Sequence, residues 1–122
     1  MLRAGIDLVE IQRIQDVIAR HGDRFLQRIY TQAELTEFGD NLASLAARFA
    51  AKEAVGKALV TGIRSISWQE IEVLRGPAQE PVLRLYGNAA RLAEEQKLKS
   101  WSISISHSST HAIAMVIASC DD

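Results

Sequence analysis

The amino-acid sequence predicts an α+β fold in which a long central helix packs on an antiparallel sheet. The stretch from Arg48 to Leu59 contains strong helix formers and no proline. We therefore expect it to form the C-terminal part of a helix that begins near Asn41 and ends before Gly62. The strict alternation from Trp101 to His107 predicts a strand. The apolar run from Ala112 to Ala118 then predicts a central strand that pairs with its predecessor.

The composition is that of one ordinary domain, which we expect to span residues 1–122. The 122 residues are 48% hydrophobic and 24% charged, enough for one core and too few for two domains. The net charge of -1 does not support a general nucleic-acid binder, which usually carries a basic excess. The single cysteine, Cys120, excludes an internal disulfide framework and a cysteine-rich zinc site.

No segment predicts secretion or insertion into a membrane. Arg3, Asp7 and Glu10 interrupt the early apolar residues, and the longest apolar run, Ala112 to Ala118, is far too short to span a bilayer. We therefore expect a cytoplasmic protein with no membrane partner.

The chain opens with an alternating segment, Leu2 to Leu8, which predicts a first strand. Asp7 lies where this strand would give way to a helix, and Glu10 follows three positions later. One interpretation is a capping box with Asp7 as the N-cap of the helix. A metal or substrate role for Asp7 is an equally good interpretation, and the two do not exclude each other.

The first helix is predicted by the apolar spacing of Ile11, Ile14 and Ile18. A basic series lies on its opposite side and continues beyond it. The residues of this series are Arg13, Arg20, Arg24 and Arg28. A solvated face is the usual meaning of such charges, and the alternative is a docking surface for an acidic helix of a protein partner.

Short polar signals predict where the next helices begin. Asp23 is placed to cap a short helix, and Thr31 with Glu34 forms a second capping-box pattern that opens a helix ending near Gly39. Asp40 or Asn41 then caps the long helix.

After the long helix the hydrophobic pattern changes its period. The segments Ile66 to Leu74 and Val82 to Tyr86 predict an antiparallel hairpin with a wide loop. Asn88 is then expected to cap a helix from Ala89 to about Lys97.

Glu53 is the unusual residue of the long helix. At about 3.6 residues per turn it shares a face with Phe49, Gly56 and Val60. A carboxylate in an apolar stripe must be paired, protonated or bound to a cation. Lys57 follows Glu53 by four residues, so an exposed helix salt bridge is the simplest interpretation of the two, with a functional site as the alternative. The far side of the helix is a band of alanines that would let another backbone approach closely.

Polar residues fill the connection between the last two predicted strands, from His107 to His111. A solvated hairpin loop is the commoner meaning of such a cluster. His107 extends the apolar face of its strand, so the alternative is that its imidazole contacts a phosphate or the adenine of a ligand.

The motifs occur in an order that resembles the holo-acyl-carrier-protein synthase family, the small type of 4'-phosphopantetheinyl transferase. They read GIDLVEIQRI at 5–14, RFAAKEAVGKAL at 48–59 and SISHS at 104–108, and the resemblance covers nearly the whole chain. It implies the transferase fold, and transfer of the 4'-phosphopantetheine arm of coenzyme A to a serine of an apo acyl carrier protein. Adenosine 3',5'-bisphosphate would be released. The resemblance also implies a homotrimer with sites shared between neighbouring subunits.

The same resemblance assigns roles to particular residues. Asp7 and Glu53 are expected to bind Mg²⁺, which takes oxygen ligands and commonly uses only one or two carboxylates. Glu53 is also the expected base, and Lys57 is expected to contact the pyrophosphate. The residues expected to bind coenzyme A are Arg48, Lys52, Gly56, Ser106 and His107. Among them Arg48 would meet the 3'-phosphate.

The acidic carrier protein would meet the basic first helix through Arg13 and Arg20, with Arg24 next. One departure from the family pattern is the hairpin loop, where many relatives have Gly-Lys-Pro and this chain has Gln79-Glu80-Pro81. Two other functions remain as alternatives. One is a metal-dependent hydrolase of nucleotide diphosphates, and the other is a non-catalytic oligomeric module that binds a nucleotide or a protein helix.

Overall fold

The structure is a computed structural model that describes residues 1–60 and 65–120. Its first elements are β1 (Leu2–Glu10), α1 (Ile11–His21), α2 (Asp23–Ile29), α3 (Gln32–Phe38), α4 (Leu42–Ala58) and a short 3-10 helix (Trp68–Glu70). They are followed by β2 (Ile71–Arg75), β3 (Pro81–Leu85), α5 (Gly87–Glu95), β4 (Ser100–His107) and β5 (His111–Ser119). The predicted α+β class, with antiparallel sheets and a long helix, is confirmed. Gly62, the predicted limit of the long helix, lies outside the described residues.

Two antiparallel sheets are formed by these strands. The larger one has the order β1-β5-β4, so the apolar last strand is central and pairs with its predecessor, as predicted. Along its other edge β5 pairs with the whole of β1, which sets Asp7 opposite Ala114. The smaller sheet is the predicted hairpin of β2 and β3.

Helix α4 packs on one face of the larger sheet and forms the centre of the core. The alanines of this helix from Ala46 onward are buried, as are the small residues of β5 that face it. The backbones approach closely at Gly5, where a Cβ atom would lie 1.9 Å from the carbonyl oxygen of Ala54. The small side chains of the alanine band therefore allow the close approach of a second backbone, as the sequence predicts.

On the opposite face of the larger sheet, β1 and β5 present apolar side chains that the described residues leave exposed, and β4 presents serines beside them. Five large side chains of this face are between 38% and 71% exposed. They are Leu2, Ile6, Leu8, Met115 and Ile117. The alternating apolar residues of β1 thus point away from the core, and Gly5 and Val9 are its buried positions.

The capping predictions are confirmed at two helices. Thr31 accepts a hydrogen bond from the Glu34 amide at 3.1 Å while the Glu34 carboxylate accepts one from the Thr31 amide at 2.9 Å. Asn41 caps α4 by accepting a hydrogen bond from the amide of Ser44 at 3.0 Å. The capping bonds themselves join residues three positions apart, and distant residues add contacts to the Thr31 and Glu34 side chains.

The predicted N-cap role of Asp7 is wrong. Strand β1 continues to Glu10, which is itself the N-cap of α1 and makes no side-chain capping bond. The reason is the pairing of β1 with β5, which keeps the backbone extended as far as the Glu10 and His111 pair. The Asp7 carboxylate is thereby left for another role.

Three further boundaries differ from the predictions. Gly22, with a φ of 54°, precedes α2, so Asp23 is the first helical residue and not the cap. Helix α5 begins at Gly87, and the Asn88 amide donates a 2.8 Å hydrogen bond to Glu70. The strand predicted from Ile66 starts only at Ile71, because a 3-10 turn precedes it. None of the described helices is long and apolar enough to cross a membrane.

Candidate functional site

Asp7 and Lys57 form an ion pair that joins β1 to α4. The Lys57 Nζ atom lies 3.1 Å from Asp7 Oδ1 and also donates a 2.8 Å hydrogen bond to the carbonyl oxygen of Ile6. Asp7 shares its strand face with Gly5, the residue that packs against α4. Within residues 1–60 and 65–120 the ion-pair partner of Lys57 is Asp7, so the simple helix salt bridge with Glu53 is not observed.

Glu53 lies beside this pair on the neighbouring turn of α4 and is half-buried. Burial raises the pKa of its carboxyl group, and the negative charge of Asp7 raises the pKa further. Lys57 and Arg13 act in the opposite direction and lower the pKa. The Glu53 carboxylate accepts no hydrogen bond from the described residues. Two acids and two bases from β1, α1 and α4 thus share one local field, in which Lys57 pairs with Asp7 and not with Glu53.

The donor set of Asp7 and Glu53 fits Mg²⁺. Both ligands are carboxylate oxygens, which are the donors that hard cations prefer. Among the described residues no group of three or more His, Cys, Asp or Glu side chains could hold a metal ion alone. Mg²⁺ keeps several waters and is commonly bound by one or two carboxylates together with substrate phosphates, so the two carboxylates of Asp7 and Glu53 are a sufficient contribution from the protein.

A second group of predicted residues lines a cavity of about 210 Å³ on the hairpin side of α4. Its walls include Arg48, Arg75, Ser106, His107, Gln79 and Pro81. The structure therefore brings Arg48 together with Ser106 and His107, which the sequence places in one site. Arg75, at the end of β2, was not predicted, because no local pattern distinguishes it from an exposed strand residue.

Arg48 is held firmly in the wall of this cavity. Its Nε atom donates a 3.2 Å hydrogen bond to the Val73 carbonyl oxygen, and its guanidinium carbon lies 3.6 Å from the centre of the Phe38 ring. Burial lowers the pKa of Arg48 to about 10, and the neighbouring Arg75 contributes to the decrease. The group stays cationic at neutral pH, so two positive side chains at one cavity favour an anion there.

The two groups of residues do not meet within one chain. The cavity with Arg48 and His107 does not include Asp7, Glu53 or Lys57. In the sheet, Asp7 lies opposite Ala114, which in turn lies opposite Ile105 beside the cavity. Two strand spacings, about 10 Å, separate the backbones of Asp7 and Ile105.

Lys52 and Gly56 have positions that favour packing over contact with a ligand. The Lys52 side chain is fully buried and forms a 2.8 Å ion pair with Glu34. It also donates hydrogen bonds to the carbonyl oxygens of Trp68 and Ile71. Gly56 is buried on the same helix. The ion pair and burial of Lys52 favour a structural role for it, and the contact of Lys52 and Gly56 with coenzyme A stays a prediction.

The predicted partner-binding arginines are all exposed. Arg13 and Arg20 lie on α1, and Arg24 lies on α2. Arg24 lines a surface cavity of about 280 Å³ together with His21, Phe25 and Arg28. A solvated face and a docking surface for an acidic partner both fit this arrangement.

Comparison with known proteins gives full-length matches. A sequence model of the 4'-phosphopantetheinyl transferase superfamily matches residues 3–116. The holo-[acyl-carrier-protein] synthase of Dehalococcoides mccartyi (strain ATCC BAA-2266 / KCTC 15142 / 195) is 51% identical over 118 residues, which cover 97% of this chain and 98% of the relative. That of Herpetosiphon aurantiacus is 45% identical over 124 residues, with coverage of 96% and 98%.

Solved structures agree with the sequence matches. The crystal structure of Helicobacter pylori holo-[acyl-carrier-protein] synthase in complex with coenzyme A superimposes with a TM-score of 0.87 at 35% identity, covering 95% of this chain and 99% of that one. The holo-[acyl-carrier-protein] synthase of Neisseria meningitidis gives a TM-score of 0.87 at 37% identity, with coverage of 96% and 97%. The similarity thus extends over the whole fold.

Proposed function

The chain belongs to the holo-[acyl-carrier-protein] synthase family of the 4'-phosphopantetheinyl transferase superfamily, and we propose that it uses Mg²⁺ to transfer 4'-phosphopantetheine from coenzyme A to a carrier-protein serine. Adenosine 3',5'-bisphosphate is the leaving group. The observation that carries the Mg²⁺ part of this proposal is the meeting of Asp7, Glu53 and Lys57 across β1 and α4.

Asp7 and Glu53 hold the metal ion in this proposal, and Lys57 contacts the pyrophosphate. When bound, the ion neutralises negative charge on the phosphate oxygens and so favours departure of the bisphosphate. The serine oxygen of the carrier attacks the β-phosphorus of coenzyme A, and the bond from that phosphorus to the bridging oxygen breaks. Catalysis of such a transfer consists mainly of positioning and charge stabilisation.

Glu53 is the proposed base that takes the serine proton, directly or through a water. General-base catalysis requires a proton acceptor within hydrogen-bond reach of the serine hydroxyl, and a carboxylate can serve as that acceptor. We prefer Glu53 to Asp7 for this role because Asp7 forms the ion pair with Lys57 in the structure, whereas Glu53 forms none among the described residues.

The cavity beside Arg48 is the proposed site for the nucleotide end of coenzyme A. Arg48 and Arg75 supply positive charge for the 3'-phosphate, and Ser106 and His107 supply polar contacts. The hairpin loop has Gln79-Glu80-Pro81 in place of the commoner Gly-Lys-Pro, and Gln79 and Pro81 line this cavity. Arg75 can therefore provide the charge that a loop lysine does not provide here.

A homotrimer with shared sites is part of the proposal. The uncovered face of the larger sheet, with Leu2, Ile6, Leu8, Met115 and Ile117, supports self-association, because such a contiguous apolar face marks an interaction surface. The separation of the cavity from Asp7 within one chain supports a site that two subunits complete. A cytoplasmic location, expected from the sequence, and a role in fatty acid biosynthesis, implied by the family resemblance, are also part of the proposal.

A transfer assay tests the proposed function. The protein is incubated with coenzyme A, MgCl₂ and an apo carrier protein, and the carrier is weighed by mass spectrometry. We expect a mass increase of one phosphopantetheine arm, loss of the reaction with a chelator, and recovery with added Mg²⁺. Glu53→Gln is the inactive control.

The same assay separates the alternatives. Cleavage of coenzyme A without modification of the carrier would indicate the nucleotide diphosphate hydrolase. Absence of any turnover with several apo carriers would indicate the non-catalytic binding module. For the trimer, light scattering after gel filtration should give three times the chain mass, and Ile6→Lys should reduce it.

A further inference from the structure

Lys57 makes its contacts at the place where the proposed metal ion would bind. Its ammonium group bridges the Asp7 carboxylate, at 3.1 Å, and the Ile6 carbonyl oxygen, at 2.8 Å. The Asp7 side chain is 19% exposed, whereas that of Lys57 is 53% exposed. Lys57 is therefore the partner that can leave the pair without losing much buried surface.

We propose that Lys57 is a stand-in cation, which holds Asp7 in the metal-free protein and moves to the substrate's pyrophosphate when the metal ion binds. This inference rests on the proposed function and deepens it. It assigns Lys57 a role before the substrate arrives, in addition to its contact with the pyrophosphate.

Counting charges gives the reason for the exchange. Asp7, Glu53, Lys57 and Arg13 together carry a formal charge of 0, because two carboxylates face two cationic groups. Adding a divalent ion makes the sum +2, and the ammonium group and the ion would then repel each other at the same carboxylate. A pyrophosphate beside them offers Lys57 a new anionic partner and removes that repulsion.

The geometry of Lys57 suits such a movement. Lysine carries a compact charge on a flexible four-carbon chain, and its three N–H donors can change partners separately. The hydrogen bond to the Ile6 carbonyl oxygen can persist while the bond to Asp7 breaks. It follows that the metal ion alone binds weakly and that coenzyme A strengthens its binding. By thermodynamic linkage, the metal ion then strengthens the binding of coenzyme A by the same factor.

The opposite role would be that Lys57 orients Asp7 for the metal ion. In that case the loss of Lys57 would weaken metal binding, since a ligand would lose its support. A stand-in cation predicts the reverse, because its loss frees Asp7. The sign of the change in metal affinity therefore distinguishes the two roles.

The test measures Mn²⁺ binding to the protein without coenzyme A, from the decrease of the free Mn²⁺ signal in electron paramagnetic resonance. Lys57→Met keeps the length of the side chain and removes its charge. Lys99→Met, on an exposed lysine before β4, removes the same charge elsewhere and is the matched control. We expect Lys57→Met to bind Mn²⁺ about two to five times more tightly than wild type, the effect of one partly exposed charge pair, with the control unchanged.

A second measurement repeats the titrations with saturating coenzyme A. The increase in Mn²⁺ affinity that coenzyme A causes should be smaller in Lys57→Met than in wild type. Unchanged or weaker Mn²⁺ binding by a folded Lys57→Met variant would overturn the stand-in role while leaving the proposed function intact. If wild type binds no Mn²⁺ with or without coenzyme A, the proposed metal site itself fails.

Discussion

Gly5 of β1 packs directly against the backbone of Ala54 in α4. A Cβ atom on Gly5 would lie 1.9 Å from the Ala54 carbonyl oxygen, a distance that no folded protein accommodates without movement of the backbone. Asp7 follows Gly5 on the same face of the strand, and Glu53 precedes Ala54 in the helix. The absence of a side chain at Gly5 therefore sets how closely the two proposed metal ligands approach.

Gly5→Ala should destabilise the protein and separate Asp7 from Glu53. Because the new methyl group meets backbone atoms, which cannot rotate away, we expect a loss of about 3 kcal/mol or more in the free energy of unfolding. Urea denaturation followed by circular dichroism measures this. Gly76→Ala is the matched control, since its Cβ would meet only the flexible carboxylate of Glu80. A Gly5→Ala variant within about 1 kcal/mol of wild type would show that α4 is free to shift.

Glu53→Gln should stabilise the metal-free protein slightly at neutral pH while abolishing transfer. The pKa of Glu53 is raised above its ordinary value of 4.5 by burial and by Asp7, so the folded state binds the proton more tightly than the unfolded state. Wild type therefore loses stability relative to Glu53→Gln as the pH rises from 4.5 through the folded-state pKa. Since Glu53 is only half-buried, we expect a difference of at most about 1 kcal/mol. Thermal melts of both proteins at several pH values measure it, and a constant difference across the range would contradict the prediction.

The elements of the fold were predictable because their signals are local. The alternation of β4, the capping box of Thr31 and the Asn41 cap each depend on residues within one turn or one strand. Asp7 shows the limit of such reasoning. Its spacing from Glu10 matches a helix cap, but pairing with β5, more than a hundred residues later, keeps this segment extended.

The candidate site was only partly predictable for the same reason. The order of the family motifs led to Asp7, Glu53 and Lys57, and the structure brings these three together. Lys52 is one residue from Glu53 in the same motif, and only its distant partners show that it points into the core. Arg75 joins the cavity because β2 runs past Arg48, a relation that no local pattern indicates.

Lys52→Met should destabilise the fold without changing the affinity for coenzyme A. Lys52 and Glu34 form a fully buried ion pair, so removing one partner leaves an uncompensated charge at a cost of about 3–5 kcal/mol. The double variant Lys52→Met/Glu34→Gln should recover part of this loss, which urea denaturation of the single and double variants measures. A large increase in the KM for coenzyme A, in a variant that remains folded at low temperature, would instead indicate that Lys52 contacts the substrate.

Arg75→Met should weaken the use of coenzyme A through its 3'-phosphate. Arg75 is exposed and lines the cavity with Arg48 and His107, so its loss removes a charge from the proposed nucleotide site without opening the core. We expect the KM for coenzyme A to rise about tenfold, as for one charge-assisted hydrogen bond, with kcat nearly unchanged. Dephospho-coenzyme A, which lacks the 3'-phosphate, should show little difference between the two proteins. Arg84→Met on β3 is the control, and equal losses for both substrates would place the 3'-phosphate elsewhere.

Arg20→Glu should weaken carrier binding while leaving the affinity for coenzyme A unchanged. Arg20 lies exposed on α1 with Arg13, but the charge of Arg13 lowers the pKa of Glu53, so a change at Arg13 would also disturb the proposed metal ligands. Arg20 is the cleaner position because its charge does not perturb Glu53. We expect the KM for an acidic carrier protein to rise about tenfold, and its dependence on salt to decrease, because an attractive charge has been replaced by a repulsive one.

Arg91→Glu on α5 makes the same change of charge away from α1 and should behave like wild type. If Arg20→Glu and Arg91→Glu have equal effects, the loss comes from net charge alone and the basic face of α1 is a solvated surface.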